Sequence, residues 1–163
     1  MEKALLVTVK IHDKIDKWSL EDSAKELEEL TAACGVEVMD NVTCYIDAPT
    51  ANYFIGSGKA NEIALKCKEL EADTVIFNHD LSGTQQRNLE DVIGKKTIDR
   101  TQLILDIFAL HASSLEGKLQ VELAQLEYML PRLTGKGFIL SRQGGGLGTR
   151  GPGEQKQYCR GLF

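Results

Sequence analysis

Two stretches of this chain hold residue types at spacings that could do chemistry. The first runs from Arg132 to Glu154, R-L-T-G-K-G-F-I-L-S-R-Q-G-G-G-L-G-T-R-G-P-G-E, where glycine fills eight of the nineteen positions from Gly135 to Gly153. Glycine has no Cβ to keep its backbone away from a phosphate or a base, and it loses the most conformational freedom when it becomes ordered. Arg132, Lys136, Arg142 and Arg150 are spread through the stretch, and such cations displace condensed counterions from phosphates. Residues 131–163 carry six Lys/Arg against one Asp/Glu, a balance of +5; residues 1–130 carry 13 against 23, a balance of −10. An acidic body with a basic, glycine-rich end points to a polyanion, either RNA or a nucleotide. On composition alone a solvated linker explains the stretch equally well. The long helical pattern in front of it favours a binding loop.

The second stretch is Gly56-Ser57-Gly58-Lys59. A Walker A loop is G-x-x-x-x-G-K-[ST], but Tyr53 stands where its first glycine belongs and Ala60 where its hydroxyl would meet magnesium. Two glycines and a lysine after a strand and ahead of a helix still form a weak anion site. In that reading Gly56, Gly58 and Lys59 face a phosphate and the loop Asn78–Ser82 lies near a ribose or base, in a nucleotide-binding or nucleotide-hydrolysing α/β domain. A tight turn with a solvated lysine explains the same letters and is the preferred reading.

Other reactive residues form no constellation. His79 and Asp80 follow a predicted strand at the carboxyl edge of the sheet, without a third partner spaced for a triad, so they read as loop hydrogen-bonding groups. His111 falls inside a predicted helix as a packing or surface residue. Cys34, Cys44, Cys67 and Cys159 include no C-x-x-C pair and lie far from the three histidines, so no metal ligands and no disulfide framework are expected. No catalytic group is assigned. The N-terminus turns polar within ten residues and no apolar run reaches the length of a membrane span, so a cytoplasmic protein without membrane insertion is expected.

The elements that must position these groups follow from hydrophobic periodicity. Ala4 to Val9 reads as a strand buried on both faces. Ser19, with Asp22 three residues on, opens a helix carrying Leu20, Ala24, Leu27, Leu30 and Ala33, and Gly35 closes it. Val36, Val38, Val42 and Tyr45 form a second strand, Ala60 to Ala72 a helix and Thr74 to Phe77 a third strand. Ser82 and Gln85 have capping-box spacing ahead of a helix with Leu89, Val92 and Ile93, stopped at Gly94, and Lys96 to Ile98 is a brief fourth strand. Strands alternating with such helices form βαβ units.

From Arg100 onward the pattern changes. Phe108, Ala112, Leu115, Leu119, Leu123, Leu126 and Leu130 step by three or four residues, a coiled-coil-like stripe. A single helix over residues 100–128 would span about 44 Å. Glu116, Lys118, Gln120, Glu122 and Gln125 read as its solvated side. The expected fold is therefore α/β: a small, largely parallel four-stranded sheet flanked by helices over residues 1–99. Residues 100–163 add the long α-helix of a truncated helical (coiled-coil) hairpin and the basic glycine-rich loop.

Tyr53 to Lys59 with Glu62 and Ile63, Gln85 to Glu90, Asp99-Arg100-Thr101, Ile104 to Phe108, Glu116 to Leu126, Leu130 to Leu133 and Gly144 to Glu154 together resemble the N-terminal half of HflX-type GTPases. The resemblance runs from about Leu5 to Glu154. It implies a cytoplasmic protein that binds the large ribosomal subunit and its rRNA rather than DNA, dissociates ribosomes under stress, and uses GTP with Mg2+ through a G domain that follows these residues. It implies an RNA contact surface of Arg132, Lys136, Arg142, Gly144, Gly145, Gly146, Gly148, Arg150, Gly151 and Gly153, at the tip of a helical hairpin reaching toward the peptidyl-transferase region. Family members continue after G-P-G-E into a second long helix and a Walker A sequence, whereas Gln157 to Phe163 depart from that pattern. The expectation is a chain cut before its G domain, with no cofactor of its own, no GTP hydrolysis alone and self-association through the uncovered helix.

Overall fold

Ala4 to Val9, six consecutive residues of β1 (Lys3–Ile11), are buried, as in an interior strand covered on both faces. The computed structural model describes residues 1–12 and 19–133. After β1 come α1 (Leu20–Ala33), β2 (Glu37–Ile46), α2 (Ser57–Glu69), β3 (Thr74–Phe77), α3 (Gly83–Ile93) and β4 (Lys96–Ile98). The four strands pair in the order β2-β1-β3-β4, all parallel, with one register shift between Ala4 and Leu5. The chain steps from β1 to β2 on one side, then crosses back to β3 on the other, so its direction of winding reverses between β1 and β3.

Odd and even residues of β1 serve different layers, as the period of two requires. Leu5, Val7 and Val9 join Val75 and Phe77 of β3, Ile63 and Cys67 of α2, and Leu89 and Ile93 of α3 in one apolar core. On an even position, the buried Thr8 donates its hydroxyl to Asn41 Oδ1 at 2.8 Å. The expected helix signals are present. Ser19 Oγ accepts from the Asp22 N–H at 3.1 Å, and α1 is followed by Gly35 at φ +73°. Ser82 and Gln85 form a reciprocal capping box on α3, which ends at Gly94 with φ +76°. Both glycines occupy the left-handed region that other L-residues rarely adopt.

The structure corrects the reading of one unbroken helix over residues 100–128. Two helices occupy the region, α4 (Arg100–His111) and α5 (Leu115–Leu133). The break falls at the serine pair Ser113-Ser114: Ser114 Oγ accepts from the Gly117 N–H and its carbonyl from the Lys118 N–H, both at 3.0 Å. Serine competes with the helix for its own backbone groups and is favoured at the start of a new one. The periodicity of the apolar residues passes through such a cap unaltered. His111 is thus the exposed last residue of α4, its Nδ1 2.9 Å from the Ile107 carbonyl, rather than a mid-helix residue.

The chain divides into two compact units, Met1–Arg100 and Thr101–Phe163. In the second, the expected solvated side of the helix is corrected at one position. Gln125 is only 5% exposed, and among the described residues its amide finds no hydrogen-bond partner at either end. Leaving such a group unpaired costs about 1–3 kcal/mol.

Candidate functional site

In open α/β sheets ligands usually bind outside the carboxyl ends of the strands where the winding reverses. Here the loop at that position, between β1 and β3, is tied back onto the end of β1. The Asn78 N–H continues the ladder to the Val7 carbonyl at 3.2 Å. Its side chain then acts as a further rung: Oδ1 accepts from the Val9 N–H at 2.8 Å and Nδ2 donates to the Val9 carbonyl at 3.3 Å. His79 Nε2 reaches the same carbonyl at 2.8 Å, which requires its proton on Nε2, and the ring lies against Phe54 with centroids 5.3 Å apart. His79 is a loop hydrogen-bonding group, as its sequence context suggested. Asn78 was not singled out, although an asparagine at the end of an apolar strand is a recognisable signal for side-chain-to-backbone bonding.

The segment before α2 is built with equal care. Thr50 and Phe54 exchange backbone hydrogen bonds of 2.9 and 3.1 Å, and Phe54 takes φ +68° to close the turn. Helix α3 braces this turn from 35 residues away: Gln85 Nε2 donates to the Thr50 carbonyl at 2.7 Å, and Asn88 Nδ2 to the Asn52 carbonyl at 3.0 Å. The other end of the Gln85 amide accepts from the Ser82 N–H at 2.8 Å. Thus Y-F-I-G-S-G-K and Q-Q-R-N-L-E, distant in sequence, are two sides of one junction. Buried Asp99 accepts from the Leu81 N–H at 3.0 Å, tying the end of β4 to the loop ahead of α3, while Arg100 forks onto Glu26 Oε1 of α1 at 3.1 and 2.6 Å.

Gly56, Gly58 and Lys59 come together at the start of α2, with Gly56 as its N-cap in an extended conformation. Neither glycine has a positive φ, and a Cβ at either would meet nothing within 4 Å, so the fold itself does not demand glycine there. The Lys59 ammonium pairs with Glu62 at 3.0 Å, which raises its pKa. Ala60, fully buried, offers no hydroxyl. The donor set at this turn does not fit GTP and its Mg2+. Cys44 nearby is buried, and that burial pushes its thiol up, opposed by Lys59.

One carboxylate that sequence reasoning missed is perturbed strongly. Glu90 on α3 accepts from the Thr97 N–H of edge strand β4, while Gln86 Nε2 donates to the Thr97 carbonyl at 2.8 Å. Burial pushes the Glu90 carboxyl up to about 7; the Thr97 N–H and the Lys96 charge pull the other way. Two side chains thereby cover main-chain groups of an edge strand that would otherwise be open to further pairing.

Of the basic residues expected to contact RNA, Arg132 is described. It lies in the last turn of α5, donates Nη1–H to the Tyr128 carbonyl at 3.2 Å and stacks its guanidinium 3.7 Å above the Tyr128 ring. Lys136, Arg142, Gly144, Gly145, Gly146, Gly148, Arg150, Gly151 and Gly153 lie outside the described residues. Among the described residues no cluster of His, Cys, Asp and Glu could hold a metal ion, and no helix is long and apolar enough to cross a membrane.

Comparison with known families matches the model of the GTP-binding GTPase N-terminal region over residues 21–109 and that of the GTP-binding GTPase middle region over residues 111–160. The chain belongs to the HflX GTPase family. It is 49% identical over 154 residues to the GTPase HflX of Alkalihalophilus pseudofirmus, covering 94% of this chain and 36% of that protein. To the Escherichia coli GTPase HflX it is 47% identical over 153 residues, covering 94% and 35%. The chain therefore spans about a third of the length of these HflX relatives. Among solved structures, a GTP-binding protein from the archaeon Sulfolobus solfataricus in complex with GDP aligns with a TM-score of 0.64 and 27% identity, over 85% of this chain and 40% of that one.

Proposed function

We propose that this chain is the ribosome-binding part of an HflX GTPase, attaching to rRNA of the large subunit through the basic glycine-rich segment after α5. In the whole protein this attachment serves the dissociation of ribosomes under stress, with GTP and Mg2+ handled by a domain outside these residues. The observation that carries the reading is the separation of charge, +5 over residues 131–163 against −10 over residues 1–130. An acidic body is repelled by rRNA and leaves the basic end as the part that can approach it.

Two features of the first unit support this reading over a nucleotide-binding α/β domain. At the position where such sheets usually take a ligand, Asn78 and His79 spend their side-chain groups on the Val9 backbone. The ammonium of Lys59 is already engaged by Glu62.

Neutralising Arg142 and Arg150 together (Arg142→Ala, Arg150→Ala) should flatten the logarithmic salt dependence of RNA binding by about two, while Lys59→Ala should leave it unchanged. Filter binding of an rRNA fragment across a salt series measures both. A slope that responds to Lys59 and not to the arginines contradicts the proposal.

A further inference from the structure

The two outer strands of the sheet are finished differently. On β4, side chains of Glu90 and Gln86 cover the N–H and carbonyl of Thr97. β2 is the edge farthest from β4, through which the chain leaves the sheet, and among the described residues it pairs with β1 alone. The His12 N–H reaches the Ile46 carbonyl at 2.7 Å, and the register runs unbroken from Leu5 opposite Asp40 to Ile11 opposite Ile46. Ladder groups alternate along a strand. Val42, Cys44 and Ile46 therefore bond to β1, whereas Asn41, Thr43 and Tyr45 turn their backbone groups outward. Asp40 Oδ1 accepts from the Asn41 N–H at 2.8 Å. The Asn41 carbonyl and both groups of Thr43 and Tyr45 have no neighbouring strand among the described residues. Both Thr43 and Tyr45 are exposed, and β2 contains neither lysine nor proline, the residues that commonly blunt such an edge.

We infer that β2 takes an extended, positively charged polypeptide segment of another protein as a fifth strand. The charge beside the edge decides the occupant. Glu28 is brought there by the Asn41 amide, which donates to Glu28 Oε1 at 3.3 Å, and Glu37 and Asp47 stand exposed near the two ends. Asp40 is already neutralised by Lys66 at 2.8 Å, which lowers the Asp40 pKa. A second copy of β2 would bring the same carboxylates to the seam again, a like-charge approach, whereas lysines or arginines would pair with them. The two faces ask for an alternating segment. On the side of α1 it meets Glu28, and on the other side it meets the margin of the core at Val42 and Ile46. The stretch from Asn41 to Asp47 offers about 20 Å, room for about seven residues.

The probe is the peptide acetyl-VKVKTKV-amide, titrated into the nuclease-treated 163-residue chain and followed by amide NMR. A dissociation constant on the order of 100 μM is expected at low salt, with shifts and slowed hydrogen exchange at Thr43 and Tyr45. The analogue acetyl-VEVETEV-amide should bind at least about tenfold more weakly. Methylating every backbone nitrogen of the lysine peptide keeps its charge but removes its ladder donors, and should abolish binding. Thr43→Pro should do the same from the protein's side. Its N–H points outward, where an edge strand tolerates proline, and circular dichroism verifies its fold. No binding up to about 1 mM, or binding indifferent to N-methylation or to a folded Thr43→Pro, overturns the inference. So does protection of Thr43 and Tyr45 that rises with protein concentration in the absence of peptide, which would give the edge to a second copy.

Discussion

At the scale of single residues, Glu90 is where protonation and stability meet. Its folded carboxyl titrates near 7 instead of the ordinary 4.5, chiefly because burial disfavours the anion. The folded state therefore keeps a proton that the unfolded chain has released between those values. Stability from this group is fully present below pH 4.5 and is lost as pH rises through 7. Glu90→Gln keeps an acceptor for the Thr97 N–H and removes the charge. It should stabilise the fold by about 2 kcal/mol at pH 8 and change it little at pH 4. Urea unfolding at the two pH values measures this; equal effects at both would show that the carboxyl titrates normally. Nothing in the spacing of Glu90 marks it as unusual, because its burial depends on Thr97 and Lys96 arriving beside it. Ser82, Gln85, Gly35 and Gly94 could be read in advance because a cap is a local event governed by three or four neighbouring residues.

At the scale of elements, one glutamine joins two levels of structure. Gln85 closes the capping box of α3 with one end of its amide and fastens the Thr50–Phe54 turn with the other. Ser82→Ala removes the cap alone and should cost about 1 kcal/mol. Gln85→Ala keeps the bond from its own N–H to Ser82 Oγ but loses the reciprocal half of the box and the brace, and should cost about 2 kcal/mol. Thermal or urea unfolding of both variants compares them, and a Gln85→Ala no more damaging than Ser82→Ala would mean that the brace contributes nothing. The strands and helices of the sheet region were legible, β3 and β4 to the residue, since alternating β-rich runs and capped helical repeats leave few alternatives. The brace was not, because it links residues 35 apart that only the parallel winding brings together. The break at Ser113-Ser114 was missed for a different reason: an apolar repeat of three and four continues across a serine cap, so the stripe alone suggests one helix where there are two.

At the scale of the whole molecule, the chain divides its tasks by charge and composition. Its first unit uses asparagine, histidine, glutamine and aspartate to bond its own backbone, including at the position where a parallel sheet would take a ligand. The positive charge gathers instead in the glycine-rich segment after α5. That separation was visible in the sequence because charge and glycine content are sums over residues and need no fold to be counted. The bonding of the switch-point loop to β1 was not, since it rests on the geometry of Asn78 and His79 against Val9.

The most direct measurement is co-sedimentation of this chain with large ribosomal subunits at two salt concentrations, beside a variant deleted from Gln143 to Gly153 and verified as folded by circular dichroism. We predict binding that weakens as salt rises and a substantial loss of it in the deletion variant. Equal binding by both proteins, or no binding by the folded intact chain at low salt, would contradict the assignment of the ribosome contact to the basic segment.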